Sequence, residues 1–382
     1  VAQEGQEPEA SRGALPEVLT WRRIAVRAAY FSTMDLSRMA YALVIVIAVA
    51  IILIYTKVVL IPFMLAFMIW FLIRQVQNLI GRIRIRGTPL PVWLRGTMAF
   101  VGIFAVLGLV AYLLSINIRG VTEVLPRYEQ NVLLIKEQVE RSTGLDLGEY
   151  TGKIAKDLDV GKIVSMLINA LTSLLGNALL VVIYVAFLML EERHATTKFN
   201  ALHNGEGSKL RSANILRQVD GSLSRYVTLK TLISLMTGAL SYVALLIIGV
   251  DFAFFWAFVI FLLNYIPNIG SLVATVFPAF IAALQFASIG PALWVLGGVG
   301  AVQLLMGNIV EPRVMGNSLN VSAVVVILSL AFWGMIWGLV GMILSVPITV
   351  MLVIVLAQFE NTRWVAVLLS DKGQVGDPVG KE

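Results

Sequence analysis

Two short stretches hold most of the chemistry-bearing residues in the apolar part of this sequence. One is Asn264-Tyr265-Ile266-Pro267-Asn268-Ile269-Gly270, and the other is Gly307-Asn308-Ile309-Val310-Glu311-Pro312-Arg313-Val314-Met315-Gly316-Asn317. Both interrupt otherwise continuous apolar sequence with Pro, Gly and Asn. Proline removes a backbone donor and frees a carbonyl one turn earlier. Glycine admits backbone conformations that other residues avoid. The asparagine amides, with Tyr265 and the nearby Gln303, both donate and accept hydrogen bonds. Such groups coordinate a polar solute where a continuous helix would hide its backbone, and paired breaks in apolar sequence are a pointer to a transport site. A kink with no ligand is the alternative for either break alone.

Glu311-Pro312-Arg313 is the sharpest local feature. A charged residue at a membrane helix centre costs roughly 2.5–3.5 kcal/mol on insertion scales. Residues i and i+2 do not face each other on a helix, so Glu311 and Arg313 need separate partners or water. The segment reads either as part of a pathway or as a loop between two crossings. Gly334-x-x-x-Gly338 with Gly341 and Ser345 is a small-residue stripe that reads as helix packing. Asp251, after Gly249-Val250, reads as a helix cap.

The surrounding composition excludes most other chemistry. Of 382 residues 58% are hydrophobic and mean hydropathy is +0.86, against roughly 45–50% apolar in soluble domains. Cysteine is absent and the only two histidines, His194 and His203, lie in a polar stretch. Thiolate metal sites and membrane-embedded histidine chemistry are therefore ruled out. No Gly-x-x-x-x-Gly-Lys-Ser/Thr run occurs, so no P-loop is present. The net charge of +6 reads as positive-inside bias and not as a nucleic-acid surface. No enzyme activity, cofactor or metal is expected.

The elements that must position these residues are membrane helices. Met39 to Tyr55, Val92 to Asn117 and Ile163 to Leu190 are apolar runs comparable to the ~20 residues a crossing needs. None alternates as an outer-membrane strand would. The expected fold is all-α, a polytopic transmembrane bundle of about eight segments, with broken or re-entrant helices in its C-terminal half and a small helical cap outside the bilayer. Residues 1–38 are a polar tail, expected to be retained because its charged part precedes the first apolar run and no cleavage pattern follows. Residues 39–118 hold three helices, Met39–Tyr55, Val58–Ile73 and one ending near Ile118, with a loop from Arg74 to Arg95. Residues 119–162 form the external cap, 163–190 a fourth helix and 191–230 a basic cytoplasmic arm. Residues 231–358 are the region of broken helices, and 359–382 a cytoplasmic tail.

The C-terminal motifs carry a resemblance. Glu311-Pro312-Arg313-Val314-Met315-Gly316-Asn317-Ser318-Leu319, the run Val324 to Gly334, and Gly338-Leu339-Val340-Gly341-Met342-Ile343-Leu344-Ser345-Val346-Pro347 are similar to the autoinducer-2 exporter family of bacterial membrane proteins. Asn264 to Gly270 resembles that family's Pro-x-x-Gly break, and Val59-Leu60-Ile61-Pro62-Phe63 its second-helix start. Val365 to Asp371 is similar to the branch containing the quorum-signal exporter. The resemblance covers about residues 39 to 371. It implies a bacterial inner-membrane protein, a homo-oligomer with the pentamer as its expected form, and small-solute transport, either export of autoinducer-2 or sodium/proton antiport. Many relatives place a Glu six residues before the motif proline; here Met306 stands there, which weakens the antiport reading. A non-transporting scaffold is the third reading. The expected pathway residues are Asn264, Tyr265, Pro267, Asn268, Gly270, Gln303, Asn308, Glu311, Pro312, Arg313, Gly316 and Asn317, with the lipid bilayer and a small polar solute as partners.

The arginine asymmetry between loops predicts both termini inside and the segment around Glu140 outside. Glu140→Cys is expected to react with a membrane-impermeant thiol reagent in intact cells. Labelling only after the membrane is broken would reverse this topology.

Overall fold

The computed structural model describes residues 36–85, 88–143, 165, 168–169, 171–173, 176–201, 206–315, 320–371 and 373. It is helical apart from one two-residue hairpin, β1 (Arg84–Ile85) antiparallel to β2 (Thr88–Pro89). The helices are α1 (Leu36–Tyr55), α2 (Lys57–Ile80), α3 (Val92–Thr143), α4 (Ala178–Ala201), α5 (Glu206–Ile248), α6 (Ala253–Leu263), α7 (Ile269–Phe286), α8 (Ile289–Leu304), α9 (Glu311–Met315), α10 (Ala323–Ala357) and α11 (Arg363–Leu369), with a π turn at Leu305–Val310 between α8 and α9. Among the described residues six helical stretches are long and apolar enough to cross a membrane, beside shorter apolar helices. The fold is that of a polytopic membrane protein.

The chain divides into a unit ending at Thr56, which holds α1, and a unit from Lys57 onward. Within the second unit, α2 runs past the expected end at Ile73 to Ile80. Arg74 is therefore helical and not part of a loop. Its guanidinium bonds Glu192 of α4 at 3.1 Å, pairs with Asp220 of α5 and lies 5.0 Å from the Trp70 ring centroid. The Trp70 indole donates to the same Glu192 at 3.1 Å. Three helices are tied together by one arginine whose five donors fork between two carboxylates.

Helix α3 also differs from expectation. It does not stop near Ile118 but continues without a break to Thr143, 52 residues in all. At 1.5 Å per residue that is ~78 Å, more than twice a ~30 Å hydrocarbon core. The first part of the expected cap is thus the polar extension of a membrane helix; residues 144–162 lie outside the described residues. The extension is anchored where α5 turns into α6 and α7 into α8. Tyr128 donates to Asp251 at 2.9 Å, and Asn131 donates to the Leu284 carbonyl at 2.7 Å. Burial and the neighbouring carboxylate both push the Tyr128 phenol well above its ordinary pKa. Asp251 is not a helix cap: that position falls to Phe252, which makes no side-chain cap bond.

The expected arm at 191–230 is likewise helical at both ends, in α4 and α5, and Lys230 falls inside the candidate span Asp220–Ile248. Helix α5 organises the unit, touching α2, α4, α6, α8, the π turn, α9 and α10. Its Ser234, Thr237 and Ser241 are fully buried. A Cβ on Gly238 between them would lie 3.1 Å from the Ala257 carbonyl of α6. Small residues at this spacing bring two helix backbones close. Helix α6, only 11 residues and apolar all round, is buried among its neighbours.

Two tight reversals follow from glycine. A Cβ on Gly270 would sit 1.8 Å from the Leu263 carbonyl, so α7 starts hard against the end of α6. In α10, Gly338 has φ 63° and ψ −143°, and a Cβ on Gly341 would sit 1.9 Å from the Trp333 carbonyl. Eight residues of continuous helix rise about 12 Å, so the chain folds back at Gly338. The stripe at Gly334, Gly338 and Gly341 is therefore a hairpin bend and not only a packing surface between separate helices.

Gly270→Ala is expected to destabilise the purified protein at or beyond the upper end of the ~1–3 kcal/mol typical of overpacking. Gly297→Ala, with open space at its Cβ, is the control, neutral or stabilising by up to ~1 kcal/mol. Thermal unfolding in detergent reads both; equal melting temperatures would overturn the close approach.

Candidate functional site

The interrupted helices owe their local shape to their prolines and glycines. After α6, Asn264, Tyr265 and Ile266 continue in tight turns that donate back to Ile260, Leu262 and Leu263. Pro267 has no N–H, and Asn268 takes φ 58° before α7 begins. With ψ −55° this is a γ-turn, closed by the Ile269 amide donating to the Pro267 carbonyl at 2.6 Å. In the second break the chain widens into the π turn, and the Glu311 amide donates to Met306, five residues back. Pro312 follows at once. A proline there would press its ring on the carbonyl four residues earlier, and a local π adjustment is the way a membrane helix absorbs it.

Both breaks face one cavity of about 420 Å³. Asn264, Pro267 and Asn268 line it from the first break, and Asn308 and Glu311 from the second. Gln303 lies on the same α8 face, with Gly300 and Leu304 beside it. Six of the twelve expected residues therefore share one wall. Four described ones do not. Tyr265 is buried behind the wall, its hydroxyl 2.6 Å from Thr231 Oγ1. Gly270 serves the α6–α7 reversal, and Pro312 and Arg313 are exposed away from the cavity. Gly316 and Asn317 lie outside the described residues.

The cavity contains groups that sequence reasoning missed. Ser271 and Thr275 line it from α7. Their hydroxyls donate to the carbonyls of Asn268 at 2.9 Å and Ser271 at 2.8 Å, which leaves oxygen lone pairs to accept. Their spacing of four, continuing from Asn268, places them on one helix face; that polar stripe on an apolar helix was the available signal. Lys230 is the larger omission. It reaches from α5, is 3% exposed, lines the cavity and pairs with Glu311 through Nζ and Oε1. A lysine at the edge of a basic stretch carries no sequence signal of this role.

Among the described residues the Gln303 side chain is buried, and neither its Oε1 nor its Nε2 has a hydrogen-bond partner. Asn264 differs, donating to Ser234 Oγ at 3.0 Å. An amide whose polar atoms are buried without partners costs ~1–3 kcal/mol. Among the described residues no cluster of His, Cys, Asp or Glu resembles a metal site.

The fold and cavity define a class, a multi-helix membrane protein with a half-open cavity of mixed polar and apolar lining between its helices, a feature that solute transporters share. A profile described as the AI-2E family transporter matches residues 43–361, and the chain belongs to that family. It is 38% identical over 275 residues to the AI-2 transport protein TqsA of Escherichia coli, covering 70% of this chain and 78% of that protein. It is 34% identical over 297 residues to a Haemophilus influenzae protein, covering 74% and 82%. It is also 34% identical over 286 residues to YhhT of Escherichia coli, covering 73% and 76%. The names of these last two state no solute. The protein is a transporter of this family and not an enzyme.

Gln303→Leu is expected to keep or raise stability, by up to ~1 kcal/mol, since it removes a buried amide with no partner at nearly constant shape. Thermal unfolding in detergent measures it. A clear loss of stability would mean that the amide is bonded in the folded protein.

Proposed function

We propose that the protein exports a small, polar, uncharged or weakly anionic metabolite, autoinducer-2 in the specific form, by a secondary or facilitative mechanism. The observation that carries the reading is the single cavity shared by both helix breaks, walled by Asn264, Asn268, Gln303 and Asn308. Amides that both donate and accept suit a hydroxylated solute, and a volume of about 420 Å³ lies in the ~300–1,000 Å³ range of small-molecule sites. The relative named as an AI-2 transport protein supports the choice of solute.

In this reading the protein sits in the bacterial inner membrane as a homo-oligomer, a pentamer in the expected form. Both termini and the 191–230 region face the cytoplasm, and the α3 extension faces outward. The short α6 and the folded α10 act as re-entrant arms. Helix α6 is ~16 Å long at 1.5 Å per residue, about half a bilayer core. Cation/proton antiport is the second reading, favoured by the carboxylate of Glu311 in the cavity wall. Against it stand Met306 at the family's usual acid position and the Lys230 ammonium that already holds Glu311.

Purified protein in sealed vesicles is expected to move autoinducer-2. Asn268→Ala and Asn308→Ala are each expected to lower the flux by about tenfold, the loss of ~1.4 kcal/mol, while assembly is retained. Unchanged flux in both variants would remove the cavity from the pathway. Proton movement driven by a sodium gradient, with no movement of autoinducer-2, would establish the antiport reading instead.

A further inference from the structure

The cavity holds two charged side chains among its described lining residues, and they face each other. Lys230 comes from α5 and Glu311 opens α9. The remaining polar lining groups, Asn264, Asn268, Ser271, Thr275, Gln303 and Asn308, are neutral. Arg313, two residues beyond Glu311, is exposed and does not line the cavity. The described wall mixes these polar and charged groups with apolar ones such as Leu272, Val276 and Leu296, and its net charge is zero. The two members differ in access: the lysine side chain is 4% exposed and the glutamate 24%.

We propose that Lys230 and Glu311 together set the charge class of the solute, admitting neutral hydroxylated molecules and rejecting anions and cations. The inference rests on reading the cavity as the solute site and narrows "uncharged or weakly anionic" to uncharged. An ion entering the cavity gives up part of its hydration shell and meets no unpaired counter-charge among the described lining residues. An anion sharing the Lys230 ammonium meets the Glu311 carboxylate beside it as a like charge, and a cation sharing Glu311 meets the ammonium in the same way. Full exchange would strand either the partly exposed Glu311 or the buried Lys230, and the second is the more unfavourable. A neutral polyol needs no exchange. Its hydroxyls donate to the carboxylate, which accepts several bonds at once, and to amide oxygens, and they accept from amide N–H groups. A pair that merely stapled α5 to α9 would hold the helices together but would not decide which solute passes.

The test uses the full chain in sealed vesicles and three probes matched in size, sorbitol, gluconate and glucamine. Sorbitol is expected to pass at least about tenfold faster than either ion. Glu311→Gln unpairs the lysine and is expected to raise the gluconate-to-sorbitol ratio by about tenfold. Lys230→Gln unpairs the glutamate and is expected to raise the glucamine-to-sorbitol ratio similarly. Each single change leaves one charge of the pair without its partner and threatens folding, most of all where that charge is the buried lysine, so two double variants accompany them. Lys230→Glu with Glu311→Lys keeps a pair and is expected to keep the preference for sorbitol. Lys230→Gln with Glu311→Gln removes it and is expected to weaken rejection of both ions together. Unchanged ratios in the assembled single variants, or full rejection of both ions by the double glutamine variant, would overturn the proposal while sorbitol flux left the cavity reading intact. No flux of any probe or of autoinducer-2 through the unmodified protein would overturn both.

Discussion

A peptide group in hydrocarbon has no water to bond, and leaving it unpaired costs several kcal/mol. Every irregularity in this fold has to answer that cost. The turns after α6 return their amides to α6 carbonyls, and the π turn before Pro312 gives Glu311 a partner five residues back. Irregular backbone survives at membrane depth where it is buried in protein or lines a wet cavity, and both interrupted segments adjoin the cavity. The cavity and the interrupted segments are thus related: the cavity is one of the surroundings that tolerate irregular backbone, and those segments supply several of its polar groups.

The same constraint explains what was legible in the sequence. Long apolar runs imply helices because helices satisfy their own backbone, so the helical membrane fold and the break at Asn264 to Gly270 could be read directly; at the second site the described helix does not break but runs on through a π turn to Met315. Asn264, Asn268, Gln303 and Asn308 stood out because amides are rare in such surroundings, and all four line the cavity. Boundaries were harder. Hydropathy falls at Ile118, at Leu190 and before Thr231, yet α3, α4 and α5 cross those points as unbroken helix. A change of solvent alters which residues are tolerated on a helix surface, but it does not interrupt backbone hydrogen bonding.

Lys230 shows why a site needs tertiary structure. By composition it closes a polar stretch containing Arg217 and Arg225. Its burial comes from the position of α5 in the middle of the unit, with α6 on one side and α8 and the π turn on another. Ser234, Gly238 and Ser241 bring α6 close, and Asn264 then reaches Ser234. The helix that carries the lysine is therefore fixed by the same contacts that place the first break. The partner, Glu311, is 81 residues away in sequence, and no spacing rule connects them.

The π turn bears on that pairing. One extra residue in a helical turn rotates everything beyond it by about 100° relative to a continuous α-helix of 3.6 residues per turn. Glu311 follows immediately after the turn, so its direction is set by the widened hydrogen bonding at Met306 and by Pro312, which cannot donate to a restored α pattern. In a regular helix the residue facing α5 would be a neighbour of Glu311 instead, and both neighbours, Val310 and Pro312, are apolar. The proline at 312 thus does more than interrupt a helix. It adjoins the turn that aims the carboxylate at Lys230, while Arg313, two positions on, faces away as i and i+2 do on any helix, so the described cavity wall keeps one charge of each sign.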